Sequence, residues 1–151
     1  MTPTRMLYRR AAAPSSFTGS EPEQASPRPL VAALVVGELA RLQLLLAHDE
    51  GGGFSWVWCR RRSELLAVAR TMPAVCAVLT DLWDADGRPT APAVRHIREI
   101  VPTLPIVAVC RLTPLSSREV VRHTRAGVDA VAFHDHDDIG ATLRYVMTAG
   151  S

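Results

Sequence analysis

Asp81 is the residue whose surroundings point most directly to chemistry. It closes an apolar run, Ala74-Val75-Cys76-Ala77-Val78-Leu79-Thr80, and opens an acidic loop, Asp81-Leu82-Trp83-Asp84-Ala85-Asp86-Gly87. An unbroken apolar run of this length reads as a strand buried on both faces, as in a parallel sheet. In open α/β sheets, ligands and chemistry collect just beyond the carboxyl ends of the strands. A carboxylate there is placed to bind a metal ion or to act as a nucleophile; the plainer reading is a loop or cap acid. Asp84 and Asp86 are turn acids or, as the alternative, further metal ligands. The run His134-Asp135-His136-Asp137-Asp138 has metal-ligating types, but most of its members must serve a strand end and a helix start. His96 and His123 fall on predicted helices and read as surface residues. Trp56 and Trp58 share one face of a strand and read as packing, because no basic groove accompanies them to make a base-stacking platform.

The elements that must position these residues follow from hydrophobic period and punctuation. Strands are predicted over 30–36, 54–59, 74–80, 106–110 and 130–134. A helix over 39–48 carries Leu39, Leu42, Leu45 and Leu46 on one face, and Gly51-Gly52-Gly53 breaks it. Ser63 is the expected cap of a second helix running to about Thr71. Thr90 is the expected cap of a third, with Pro92 in its first turn and Pro102 beyond its end. Ser116 and Glu119 form a capping-box pattern for a fourth helix, which runs to Ala126 and stops at Gly127. Asp137 or Asp138 caps a fifth, ending near Met147. Five β-α units in alternation imply a parallel sheet with helices on both faces.

Composition narrows the class. A chain of 151 residues, 48% hydrophobic, suits one domain with a substantial core. No apolar run approaches the roughly 20 residues of a membrane span, and no signal-peptide core follows Arg5, Arg9 and Arg10. The three cysteines, Cys59, Cys76 and Cys110, all fall in predicted strands and read as reduced core thiols of a cytoplasmic protein. All 17 basic residues are arginine, so mechanisms that need a lysine are excluded. The net charge of +2 lies in residues 1–29, where four arginines meet two acids; the other 13 arginines and 13 acids cancel. A neutral domain is a poor candidate for binding nucleic acid through its phosphates. Residues 1–29, rich in Pro, Ser, Ala and Glu, read as a disordered leader, with Met6 as a later candidate start. Residues 30–148 form the domain and 149–151 a tail, with no output domain after the fifth helix.

Three segments, taken in order, resemble the receiver domain of bacterial response regulators, the CheY-like fold. Val78-Leu79-Thr80-Asp81-Leu82-Trp83 is similar to its phosphoacceptor strand. Leu104-Pro105-Ile106-Val107-Ala108-Val109-Cys110 is similar to its fourth strand, and Arg125 to His134 to its fourth helix end and fifth strand. The resemblance spans residues 30–148. It implies a flavodoxin-like five-stranded parallel sheet of order 2-1-3-4-5 and a role in two-component phosphorelay signalling rather than catalysis. Asp81 takes the phosphoacceptor position. Mg²⁺ would be held by an acidic pair after strand 1, by Asp81 and by the backbone carbonyl of Trp83. Cys110 and His134 take the positions of the phosphate-contacting hydroxyl and lysine, and Val131 that of the aromatic switch.

The departures from that pattern are as informative as the matches. The acidic pair is Gly37-Glu38, so Glu38 alone faces the metal. Losing one carboxylate about 4 Å from a divalent ion forfeits roughly 8 kcal/mol of gross Coulomb attraction at an effective dielectric near 20, most of it offset by regained solvation. A thiol hydrogen-bonds more weakly than a hydroxyl. A histidine is mostly neutral at pH 7 unless a phosphate favours its charged form. The expectation is a pseudo-receiver with a weakened Mg²⁺ site, acting by binding a histidine kinase or another signalling protein. The alternative is a phosphorylation-competent, Mg²⁺-dependent receiver. A small α/β enzyme ranks third, since no Gly-rich phosphate loop or nucleophile elbow is present. The helix 4–strand 5–helix 5 face is the expected contact surface, through Arg118, Arg122, Arg125 and Arg144, and is also the face of a homodimer. The segment from Leu112 to Val121 looks like the start of a LuxR-type DNA-binding domain, but Gly127 and an apolar strand follow in place of a recognition helix.

Overall fold

The computed structural model describes residues 28–47 and 53–149. The expected leader, except residues 28 and 29, lies outside the described residues, as do Gly51, Gly52 and residues 150–151. The strands are β1 (Leu30–Leu34), β2 (Ser55–Cys59), β3 (Val75–Asp81), β4 (Ile106–Cys110) and β5 (Ala130–Phe133). The helices are α1 (Leu42–Ala47), α2 (Arg62–Thr71), α3 (Ala91–Ile100), α4 (Pro114–Ala126) and α5 (Ile139–Ala149). All five strands are parallel, in the order β2-β1-β3-β4-β5. The expected fold class and strand order are therefore present.

Strand alternation divides the core into two layers. Val31, Ala33, Val35, Leu79, Val107 and Val109 point to the side closed by α1 and α5, where Leu42, Leu143 and Val146 meet them. Ala32, Leu34, Val78 and Ile106 point to the opposite side, against Leu65, Val94 and Ile97 of α2 and α3. Leu82, Ala108 and Cys110 continue that side next to Val120 of α4. Burial on both faces explains why β1, β3 and β4 read as unbroken apolar runs. Each fully buried large side chain contributes about 1.5–3 kcal/mol. Among the described residues no helix is long and apolar enough to cross a membrane.

Several local expectations are corrected. The first helix is not continuous: Val36 is extended, Gly37 adopts φ +57°, and a 3-10 turn over Gly37–Leu39 precedes α1. This tight turn redirects the chain, so Leu45 is exposed while Leu39 and Leu42 are buried. Ser63 lies inside α2, whose first turn is closed by the Glu64 carboxylate accepting from the backbone N–H groups of Arg60 and Arg61 at 2.7 and 3.1 Å. Helix α4 starts a turn earlier than expected. Thr113 is its cap, its hydroxyl accepting from Ser116 N–H at 3.2 Å while the Ser116 hydroxyl accepts from Thr113 N–H at 3.0 Å. Pro114 follows in the first turn with φ pre-set for a helix, which frees Glu119 from capping. Thr90 is the N-cap residue of α3, as expected, but its side chain makes no capping hydrogen bond. Cys76 is exposed: Leu30 and Val31 pair with Val75 and Ala77, so Cys76 is the extra residue of a bulge. Asp138, of the two candidates, caps α5 by accepting from Ala141 N–H at 3.0 Å.

Gly127 ends α4 at φ +114°. Its carbonyl accepts from Arg98 of α3 through Nε at 3.1 Å and Nη2 at 2.6 Å. A Cβ on Gly127 would meet Arg98 Nε at 3.2 Å and lie in a backbone region that side chains rarely adopt. Gly127→Ala is therefore expected to lower the stability of the domain by about 1–3 kcal/mol, read from urea denaturation.

Candidate functional site

The carboxyl ends of β1, β3 and β4 open on a cleft of about 390 Å³. Val36, Glu38, Asp81, Trp83, Cys110 and Arg111 line it, with Leu115 of α4 on its rim. Four of the five site residues expected from sequence, Glu38, Asp81, Trp83 and Cys110, are thus brought together. The fifth, His134, is not among the lining residues. It follows β5 directly, and its Nδ1 lies 2.8 Å from the carboxylate of Asp135.

Asp81 is the last residue of β3 and is only 8% exposed. Its Oδ1 accepts from Leu82 N–H at 2.7 Å and its Oδ2 from Val36 N–H at 3.3 Å. Burial pushes its pKa up to about 6, against the opposing pull of the Val36, Leu82 and Trp83 backbone N–H groups. Burial, helped by the charge of Asp81, lifts the Cys110 thiol to about 11. Cys110 is therefore a protonated thiol at neutral pH, a weak donor and no nucleophile.

The other acids are engaged elsewhere. Asp84 is buried and organises the loop: Oδ1 accepts from Asp86 and Arg88 N–H groups, and Oδ2 from Arg62 N–H. Those bonds hold its pKa below the ordinary carboxylate value despite burial, which pushes the other way. Asp86 pairs with Arg61 at 3.1 Å. Asp137 accepts from Phe133 N–H at 2.7 Å. Glu38 is held by Arg111, the residue immediately after β4, through Nη1 and Oε1. Among the described residues no group of three His, Cys, Asp or Glu side chains is placed to hold a metal ion.

Two features of this region escaped the sequence reading. Arg111 supplies the guanidinium of the cleft; its place directly after a strand-end residue, in a chain without lysine, was the available signal. His123 was expected at the surface but is fully buried, where it meets Thr90. The signal there was weaker, since a lone histidine in a helix gives no sign of which way it faces.

Solved structures with the same arrangement are found among signalling proteins. The signal receiver domain of an HD domain-containing protein from Pseudomonas fluorescens Pf-5 matches with a TM-score of 0.68 and 14% identity, over 84% of this chain and 92% of that one. The fold is that of a response-regulator receiver domain. A CheY-like receiver domain protein from Methanospirillum hungatei JF-1 matches with a TM-score of 0.67 and 16% identity, over 83% of this chain and 97% of that one. The receiver domain of a sensor histidine kinase from Pseudomonas aeruginosa PAO1, described with a magnesium ion coordinated in its active-site cleft, matches at 0.59 and 16%, over 81% and 96%. Identities this low carry the fold and nothing finer. No protein-family model and no curated protein sequence matches the chain.

Within this receiver fold, Asp81 carries an electrostatic cost with a definite pH signature. Its pKa in the folded chain is above its ordinary 3.8, so the folded state holds the proton more tightly than the unfolded state. The associated stability is fully present below pH 3.8 and is lost as pH rises through about 6. The full cost above that pH is about 3 kcal/mol. An asparagine removes the charge but turns an amide donor toward a backbone N–H. Asp81→Asn is expected to stabilise the domain by about 1–2 kcal/mol at pH 7.5, with the gain gone at pH 4. Urea denaturation at the two pH values checks both the sign and the window.

Proposed function

We propose that this chain is a receiver-type signalling module of a two-component system, working by partner binding, with the phosphoryl chemistry of its cleft weakened. The observation that carries the proposal is the Arg111–Glu38 pair. Phosphoryl transfer to a carboxylate brings two anions together, and a receiver's metal ion serves to neutralise them. Mg²⁺ demands near-octahedral oxygen ligands and carboxylate charge. In this cleft Gly37 carries no carboxylate, Glu38 is bound to a guanidinium, and both Asp81 oxygens accept backbone N–H groups. The residues present fit the metal poorly. Restoring an acid at position 37 would also place a side chain at φ +57°, which strains it.

The chain's own residues do other work. Among the described residues Arg111 is the one cation lining the cleft, which Asp81 also lines. A guanidinium stays protonated at every physiological pH and matches oxyanions through its planar fork. It brings the cleft a permanent cation, balanced here by Glu38. Helix α4 and helix α5 present Arg118, Arg122, Arg125 and Arg144 with the exposed apolar residues Leu115, Val121 and Tyr145. Basic residues interleaved with exposed aromatic and aliphatic ones suit a protein–protein contact. The partner fitting this reading is a histidine kinase or another two-component protein, or a second copy meeting the same face.

Intact mass after incubation with a small phosphodonor and Mg²⁺, beside Asp81→Asn, tests the weakened chemistry. The expected result is at most a trace adduct; a stoichiometric adduct on the native chain, absent from Asp81→Asn, would instead identify a working receiver. Calorimetric titration with Mg²⁺ tests its cause. Arg111→Gln, which frees Glu38, is expected to strengthen Mg²⁺ binding about tenfold, the counterpart of roughly 1.4 kcal/mol of competing ion pairing. Unchanged affinity would show that Arg111 does not guard the site.

A further inference from the structure

A polar chain that no step above uses runs from the backbone carbonyl of Asp81 to α4. Thr90 and His123 are both fully buried. The Thr90 hydroxyl is 2.6 Å from the backbone carbonyl of Asp81 and 2.7 Å from His123 Nε2. His123 Nδ1 is 2.8 Å from the carbonyl of Glu119, one turn earlier in α4. The chain therefore joins the end of β3 to the middle of α4 through a single hydroxyl.

Counting hydrogens shows that the chain cannot satisfy itself in one arrangement. A carbonyl oxygen has no hydrogen, so His123 Nδ1 must donate to Glu119 and carries the ring proton. Burial lowers the His123 pKa, against a smaller opposite pull from Glu119, so the ring is neutral and Nε2 is a bare acceptor. Thr90 then offers one hydrogen to two close acceptors, the Asp81 carbonyl and Nε2, with the Leu82 carbonyl a more distant third at 3.3 Å. Given to the Asp81 carbonyl, it leaves Nε2 facing an oxygen lone pair. Given to Nε2, it leaves the Asp81 carbonyl with the Thr80 hydroxyl, which already donates to it at 2.9 Å. Each arrangement therefore leaves one short contact between two lone pairs, at Nε2 in the first and at the Asp81 carbonyl in the second, so neither is free of cost. A low-dielectric interior amplifies the difference that any neighbour makes between them.

We infer that Thr90 and His123 are positioning residues that couple the Asp81 segment to α4, the Thr90 hydrogen choosing between the Asp81 carbonyl and His123 Nε2. A change at Asp81 that alters the pull of its carbonyl shifts the hydrogen, and with it the tether that holds α4. The position that the receiver resemblance assigns to an aromatic switch holds the apolar Val131. The Thr90–His123 bond is a direct polar link from the Asp81 segment to α4. The coupling stands whether or not Asp81 takes a phosphoryl group, because its test needs no phosphorylation.

Nitrogen-15 NMR of the histidine side chains reads the tautomer directly in the native chain. The expected state is Nδ1–H with Nε2 bare; an Nε2–H tautomer overturns the proposal without any variant. Asp81→Asn then serves as the perturbation. In the otherwise native chain it should shift the His123 Nε2 resonance and the backbone amides of residues 119–124. In Thr90→Val the α4 shifts should be lost while those beside residue 81 persist, and Thr90→Ser, which keeps the hydroxyl, should restore them. An equal α4 response in the Thr90→Val background would overturn the coupling. If Thr90→Val does not fold, the tautomer and the response of Nε2 to Asp81→Asn decide: an Nε2 resonance that stays still overturns the proposal.

Discussion

Burial of three central strands on both faces is the constraint from which the rest of this structure follows. Once β1, β3 and β4 have helices on either side, none of their side chains can meet water except at the strand ends. Parallel pairing brings the carboxyl ends to one edge, so Val36, Asp81 and Cys110 converge although 45 residues separate the first two. Chemistry at this edge is thus a consequence of core packing. The same packing keeps the edge dry enough to raise the Asp81 pKa and that of the Cys110 thiol together. A carboxylate there is a costly group, held in place by backbone donors that would otherwise be orphaned.

The loop after β3 shows how that cost is contained. Asp84 uses its two oxygens to gather three backbone N–H groups from both sides of the loop. Arg62 reaches the Pro89 carbonyl at 3.1 Å, and Thr90 N–H donates to Leu82 O at 2.9 Å. The loop is closed by its own polar groups, so the acids that resemble metal ligands in the sequence are structural in the fold. Besides Asp81, the cleft lining consequently holds two carboxylates, Asp84 engaged by the loop and Glu38 paired with the guanidinium of Arg111.

The strand positions and the place of Asp81 as a strand-end carboxylate could be read from the sequence, because they rest on period and burial; the sheet order came from the resemblance to receiver domains. An apolar run of seven residues before an acid leaves few alternatives in an α/β chain. Helix starts were read less well. Ser63, Thr90 and Ser116 have the right types for caps, but side-chain type says nothing about which neighbour competes for the oxygen. Thr90 was claimed by the Asp81 carbonyl, and Ser116 by Thr113 one turn earlier, a difference that Pro114 signals. His123 and Arg111 were missed for a related reason. Their roles depend on which element lies opposite, a tertiary fact with no local period.

The Arg111–Glu38 pair is mostly exposed, and such a pair adds at most about 1 kcal/mol to stability. Its weight in the site is nevertheless larger than its weight in the fold. Stability compares the paired side chains with the same side chains in water, where little is lost. Metal binding compares them with a state in which a divalent ion shares the carboxylate that Nη1 now contacts, beside a positive charge that cannot be neutralised by losing a proton. A lysine could shed its proton when crowded by a metal; a guanidinium cannot. Gly37, in its left-handed turn, offers the cleft no carboxylate, and Glu38 is already paired to a cation that cannot lose its charge, so on the proposed reading a metal ion would gain little there.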